Sequence, residues 1–123
     1  MTATQSVNYS EELADFIIEG IREKKGLEIV RVDLRNMHNS ISDYFVICHA
    51  TSDRQVDAIS QSIEDVVRKR NGDRPNAVEG KRNADWILLD YVDVVVHVFK
   101  EEIRRLYALE DLWADAPIEQ IGD

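Results

Sequence analysis

A single α/β domain, with a mixed sheet of about five strands flanked by helices, is the architecture this sequence predicts. Three observations predict it. The run Trp86 to Phe99, WILLDYVDVVVHVF, reads as two apolar strands joined by an acidic turn at Asp90 to Asp93. A capped helical stripe, Val56 to Val67, lies between strand-length apolar runs. The 123 residues suit one domain able to bury a core without disulfides or metals.

Each element has its own signal. Residues 1–9 read as a disordered tail, with the folded domain spanning 10–116. Ser10 ahead of Glu11 and Glu12 suits a helix N-cap, and Leu13, Phe16, Ile17 and Ile21 follow at helical spacing up to a stop at Gly26. Leu27 to Leu34 suggests a strand, Asn36 to Ser42 a polar loop, and Tyr44 to Cys48 a strand covered on both faces. Ser52 and Gln55 have capping-box spacing. Val56, Ile59, Ile63, Val66 and Val67 form the stripe of that helix, and Asn71-Gly72 ends it. Its basic triplet, Arg68 to Arg70, reads as cations at a helix C-terminus rather than a nucleic-acid patch.

A short strand at Ala77 to Glu79 would complete a right-handed βαβ unit with strand 44–48. After the hairpin, Lys100 to Trp113 reads as one helix with Ile103, Leu106, Tyr107, Leu109 and Leu112 on its apolar face. Residues 117–123 read as a flexible acidic tail.

Composition narrows the function classes. A formal net charge of −9 repels free nucleic acid, whose binding depends on Lys and Arg, and suits a basic protein partner. No apolar run is long enough to span a membrane. The N-terminus lacks a signal-peptide core and transit character, so a cytoplasmic location is expected. The single cysteine, Cys48, fits a reducing compartment.

Candidate chemistry is sparse, and neither a metal nor a cofactor is expected. His38, His49 and His97 have no ligand spacing among them, and His97, alternating with Val96 and Val98, reads as a sheet residue with a hydrogen-bond partner. Cys48 and His49 are strand neighbours pointing to opposite faces, so they cannot act as nucleophile and base. A nucleotidyltransferase-like, nucleotide-binding enzyme is the alternative reading, on the strength of Asp33 and Ser42-Asp43. That chemistry needs a Gly-Ser phosphate loop, and the chain has no Gly-Ser pair.

In the hairpin, Trp86, Leu88 and Asp90 share one face and Ile87, Leu89 and Tyr91 the other. Two readings stay open: both faces covered by helices, or an aromatic anchor left beside an acidic turn at an interface.

Several segments together resemble the ribosomal silencing factor family, also called RsfS, Iojap or YbeB. They are DYFVI (43–47), RQVDAI (54–59), EG (79–80), WILLDY (86–91), DVVVHVF (93–99) and RLYALEDLWADA (105–116), in order over most of the chain. The resemblance implies a nucleotidyltransferase-like topology without the active site, and no enzymatic activity. It implies binding to the large ribosomal subunit through its fourteenth protein, a block on joining with the small subunit, and repression of translation. Homodimers in isolation are a further implication. On this reading Trp86 is the apolar anchor, Leu88 its packing neighbour, Asp90 an acceptor for a partner Arg or Lys, and Tyr91 a rim hydrogen bond. Asp43 and Tyr44 keep a mainly structural role. Where the family usually has glycine in the hairpin turn, this chain has Val92. A β-branched residue tolerates φ > 0 poorly, so a different turn geometry is expected.

Overall fold

The computed structural model describes residues 2–38 and 40–122, so Met1, Asn39 and Asp123, which fall in the expected tails and loop, lie outside it. The elements run α1 (Thr2–Glu23), β1 (Leu27–Asp33), β2 (Tyr44–Ala50), α2 (Asp53–Asn71), β3 (Ala77–Glu79), β4 (Trp86–Asp90), β5 (Val94–Lys100), α3 (Glu101–Tyr107), α4 (Leu109–Leu112) and β6 (Ile118–Gln120). They build one mixed six-stranded sheet of order β3-β4-β5-β2-β1-β6. Among the described residues β2 and β5 pair in parallel, and the other neighbouring pairs are antiparallel.

The two helices α1 and α2 cover one sheet face. Leu13, Ile17 and Ile21 of α1 and Val56, Ile59, Ile63 and Val67 of α2 bury there against Val46, Cys48, Ile87, Leu89, Val96 and Val98. Gly20 lets the helices meet closely: a Cβ at that position would stand 2.8 Å from the Ile63 Cα. The buried Ser62 hydroxyl donates to the Gly20 carbonyl at 2.8 Å, so this contact is also polar. The expected cap of α2 is present, with Ser52 Oγ accepting from the Gln55 N–H at 3.2 Å. The Gln55 side chain, however, donates to the Lys24 carbonyl at 3.2 Å and ties α2 to the end of α1. Gly72 closes α2 in the left-handed region. Arg68 and Arg70 in its last turn pair with Asp65 and Glu19.

The structure corrects several expectations. Helical backbone begins at Thr2 rather than after a disordered tail, and Ser10 is buried within α1 instead of capping it. The left-handed residue ending α1 is Lys25 (φ 60°), one before Gly26, and Gly26 is small because Ile21 packs where a Cβ would stand.

The segment expected to fray after Pro117 is strand β6, the sixth of the sheet, paired with β1 at Val32–Ile118 and Val30–Gln120. Arg31 of β1 binds Glu119 of β6 at 2.5 Å. Strands β2 and β3 are separated by β4 and β5, so the expected βαβ pair is not adjacent; the parallel neighbour of β2 is β5. Pairing β3 to β4 instead lets the short strand reach a partner through an ordinary antiparallel connection.

Val92 also departs from expectation. It takes φ 74°, the conformation a glycine would occupy, rather than redirecting the turn. The Asp93 N–H donates to the Tyr91 carbonyl at 2.9 Å, which closes a γ-turn on Val92. The Val92 N–H donates to Asp90 Oδ1 (2.8 Å), and its carbonyl accepts from Ser42 Oγ (3.0 Å).

Candidate docking face

The sheet face opposite α1 and α2 is covered over only part of its area. Val30, Val32, Leu34, Ile47, Phe99 and Ala116 are buried there. Beyond them the face opens. Trp86, Leu88 and Asp90 of β4 are half-buried, as are Val95 of β5 and Phe45 of β2. Cross-strand pairing makes them one surface: Trp86 lies opposite Phe99, Leu88 opposite His97, Asp90 and Phe45 both opposite Val95. The two faces of the hairpin therefore differ in cover. Ile87 and Leu89 are core, while Trp86 and Leu88 belong to the open side.

Trp86 is held from several directions. Its ring lies 4.8 Å from that of Phe99 and 5.0 Å from that of Tyr107, and its indole N–H donates to His97 Nδ1 at 3.2 Å. His97 thus has the sheet position and the hydrogen-bond partner its alternation with valines suggested. Phe45 is braced by Trp113, with ring centroids 5.7 Å apart. Asp90 caps the turn through its Oδ1.

Tyr91 does not join this surface. It is 7% exposed and packs with Ile87 and Leu89 on the helix-covered face, so it cannot make a rim hydrogen bond. The period of two places it opposite Trp86, Leu88 and Asp90, and that period holds through the end of β4. Burial pushes its hydroxyl pKa well up, with Glu64 adding to the effect.

The expected single helix over 100–113 is broken at Ala108, whose φ of 46° separates α3 from α4. Its apolar face is split accordingly. Ile103, Leu109 and Trp113 pack against the sheet, whereas Leu106 and Leu112 are each 74% exposed and Tyr107 is 55% exposed. Of these three, Tyr107 stacks beside Trp86 with ring centroids 5.0 Å apart. A helical period applied straight through residue 108 assigned them to the core, and the continuous apolar runs of β2 and β5 hid Phe45 and Val95 among core residues.

Candidate chemistry elsewhere is structurally engaged. Cys48 is fully buried, and burial raises its thiol pKa to about 12, which keeps it protonated. Asp33 is held by Arg35, at 2.7 Å, which keeps its carboxyl below the usual range. Glu28, His49 and Glu101 converge closely enough to suggest a cation site among the described residues. The donor set does not fit one. Arg104 donates to His49 Nδ1 at 2.9 Å, so the imidazole hydrogen sits on Nε2, the nitrogen facing the carboxylates. Arg105 already bridges Glu28 and Glu101 at 2.8 and 3.4 Å.

A sequence model of the family described as "Ribosomal silencing factor during starvation" matches residues 7–123. The chain belongs to the ribosomal silencing factor family. It is 37% identical over 108 residues to "Ribosomal silencing factor RsfS" of Halalkalibacterium halodurans, covering 88% of this chain and 91% of that one. To the protein of the same name in Bacillus subtilis it is 43% identical, covering 78% and 80%. A crystal structure of a Chromobacterium violaceum protein superposes with a TM-score of 0.79 at 30% identity, covering 85% of each chain. Membership in the ribosomal silencing factor family places the chain among regulators of translation. No helix among its described residues is long and apolar enough to cross a membrane.

Proposed function

We propose that this silencing factor binds the large ribosomal subunit through its fourteenth protein and, acting as a stoichiometric binder rather than an enzyme, blocks joining with the small subunit in the cytoplasm. The observation that carries this reading is the open row of Trp86, Leu88 and Asp90, continued by Val95 and Phe45, on a chain of this family. A rigid indole flanked by aliphatic side chains is the composition of an interface hot spot. The half-buried Asp90 carboxylate and the net charge of −9 suit a basic ribosomal surface. Free in solution, the same face would pair with a second copy. The nucleotide-binding alternative has less support, because Asp33 is neutralised by Arg35 and the chain has no Gly-Ser loop.

Purified protein mixed with dissociated subunits on a sucrose gradient tests the reading. Co-sedimentation with the large subunit, and loss of the rejoined ribosome peak, is expected. Protein that stays at the top while subunits rejoin would rule the reading out. Leu88→Arg is a cleaner probe than Trp86→Ala, because Trp86 also props Tyr107, Phe99 and His97. Leu88→Arg is expected to fold normally and to lose subunit binding by tenfold or more, about 1.4 kcal/mol.

A further inference from the structure

One buried polar atom on the docking face has no role in holding the fold. His97 is 5% exposed, and its Nε2 has no hydrogen-bond partner among the described residues. The protonation of the ring is set by its other nitrogen. Trp86 Nε1 can only donate, so His97 Nδ1, 3.2 Å away, must accept, and the single hydrogen of the neutral ring lies on Nε2. Burial lowers the pKa to about 4, so the ring is neutral at physiological pH. The result is a buried N–H aimed at nothing, which costs folding free energy while it stays unpaired. Phe45, edge-on at 4.9 Å, offers at best a weak aromatic acceptor.

The position of this N–H suggests its purpose. His97 lies opposite Leu88 on β4 and Ile47 on β2, at the centre of the open face. Leu88, paired opposite it, and Phe45, edge-on at 4.9 Å, are its half-buried neighbours on that face.

We propose that His97 donates its Nε2–H to a main-chain carbonyl of the protein docked on this face, with Trp86 as the positioning residue that fixes the donor tautomer. A carbonyl suits the site better than a carboxylate, since a neutral donor in apolar surroundings cannot offset the desolvation of a charge. The bond would give the face selectivity that apolar area alone does not, because a surface without a carbonyl at that point leaves the N–H unpaired. This inference rests on the reading of the face as the ribosomal docking surface.

The test compares His97→Phe and His97→Gln with the unaltered protein in quantitative binding to purified large subunits. Phe keeps the ring and removes the donor; Gln keeps an N–H donor and an oxygen that can accept from Trp86. The Phe variant is expected to bind about tenfold more weakly while melting within a few degrees of the unaltered protein, and the Gln variant to recover most of the loss. Equal binding by the Phe variant, with the unaltered protein bound, overturns the role of His97 and leaves the docking reading standing. Absence of binding by the unaltered protein sinks both. If the Phe variant does not fold, His97→Met takes its place as the donor-free variant, read against Gln in the same way. Nitrogen NMR of the free protein supplies an independent arm: the Nε2–H tautomer is expected, and an Nδ1–H tautomer overturns the proposal without any ribosome.

Discussion

Val92 shows how strongly surroundings can impose a conformation on a single residue. At φ 74° its β-branched side chain crowds the backbone, a strain of about 1–3 kcal/mol. Three hydrogen bonds, from Asp93 to Tyr91, from Val92 to Asp90 and from Ser42 to Val92, hold it there. The side chain is 56% exposed and returns little burial energy. Replacing it with glycine removes the strain at an entropic cost of about 0.5–1 kcal/mol in the unfolded chain. Val92→Gly is therefore expected to stabilise the protein by about 1 kcal/mol, measured as a higher denaturation midpoint at unchanged slope. A lower midpoint would mean that the Val92 side chain makes contacts worth more than its strain.

At the scale of elements, the α1–α2 contact and the α3–α4 elbow behave oppositely. The helix pair is closed around Gly20, with Ile63 backbone where a Cβ would go. Gly20→Ala must push α1 off α2 or off the sheet, and a loss of about 1–3 kcal/mol is expected from the overpacking even though alanine is the better helix former. Urea unfolding checks this, and a neutral result would show that the pair can slide apart freely. The elbow is open instead. Ala108 turns the chain so that Arg104, 3% exposed, reaches the Glu28 carbonyl at 2.8 Å and Glu110 at 2.9 Å. The same turn leaves Leu106 and Leu112 facing solvent.

For the molecule as a whole, pH reports the burial of His97. Its folded pKa of about 4 lies below the 6.5 of an unfolded histidine, so between these values the unfolded chain binds the proton that the folded chain refuses. Stability is full above about pH 6.5 and is lost as pH falls toward 4. At about 1.4 kcal/mol per pH unit the loss approaches 3 kcal/mol. His49, Asp33 and Glu28, whose pKa values are also depressed, act in the same direction, while Asp93, raised by burial, opposes them. Denaturant titrations at pH 7 and 4.5 should show the decline, and His97→Phe should flatten much of it. An undiminished slope in that variant would assign the effect to other groups.

Much of this was legible in the chain. The capped stripe of α2, the hairpin, its two faces and the family motifs all rest on local periodicity, which depends only on a residue's neighbours in sequence. Trp86, Leu88 and Asp90 could be assigned to one face by the period of two, and Tyr91 to the other by the same rule. Several features required the tertiary structure. Residues Ile118 to Gln120 become a strand because β1 presents a free edge to them, a long-range pairing that no local signal announces. The left-handed Val92 is held in part by Ser42, fifty positions away. The exposure of Leu106, Tyr107 and Leu112 follows from a turn at Ala108, beside which Arg104 donates to the Glu28 carbonyl of the distant β1. Alternation along the chain determined which side chains share a face; which face stays uncovered depended on where the remaining elements could pack.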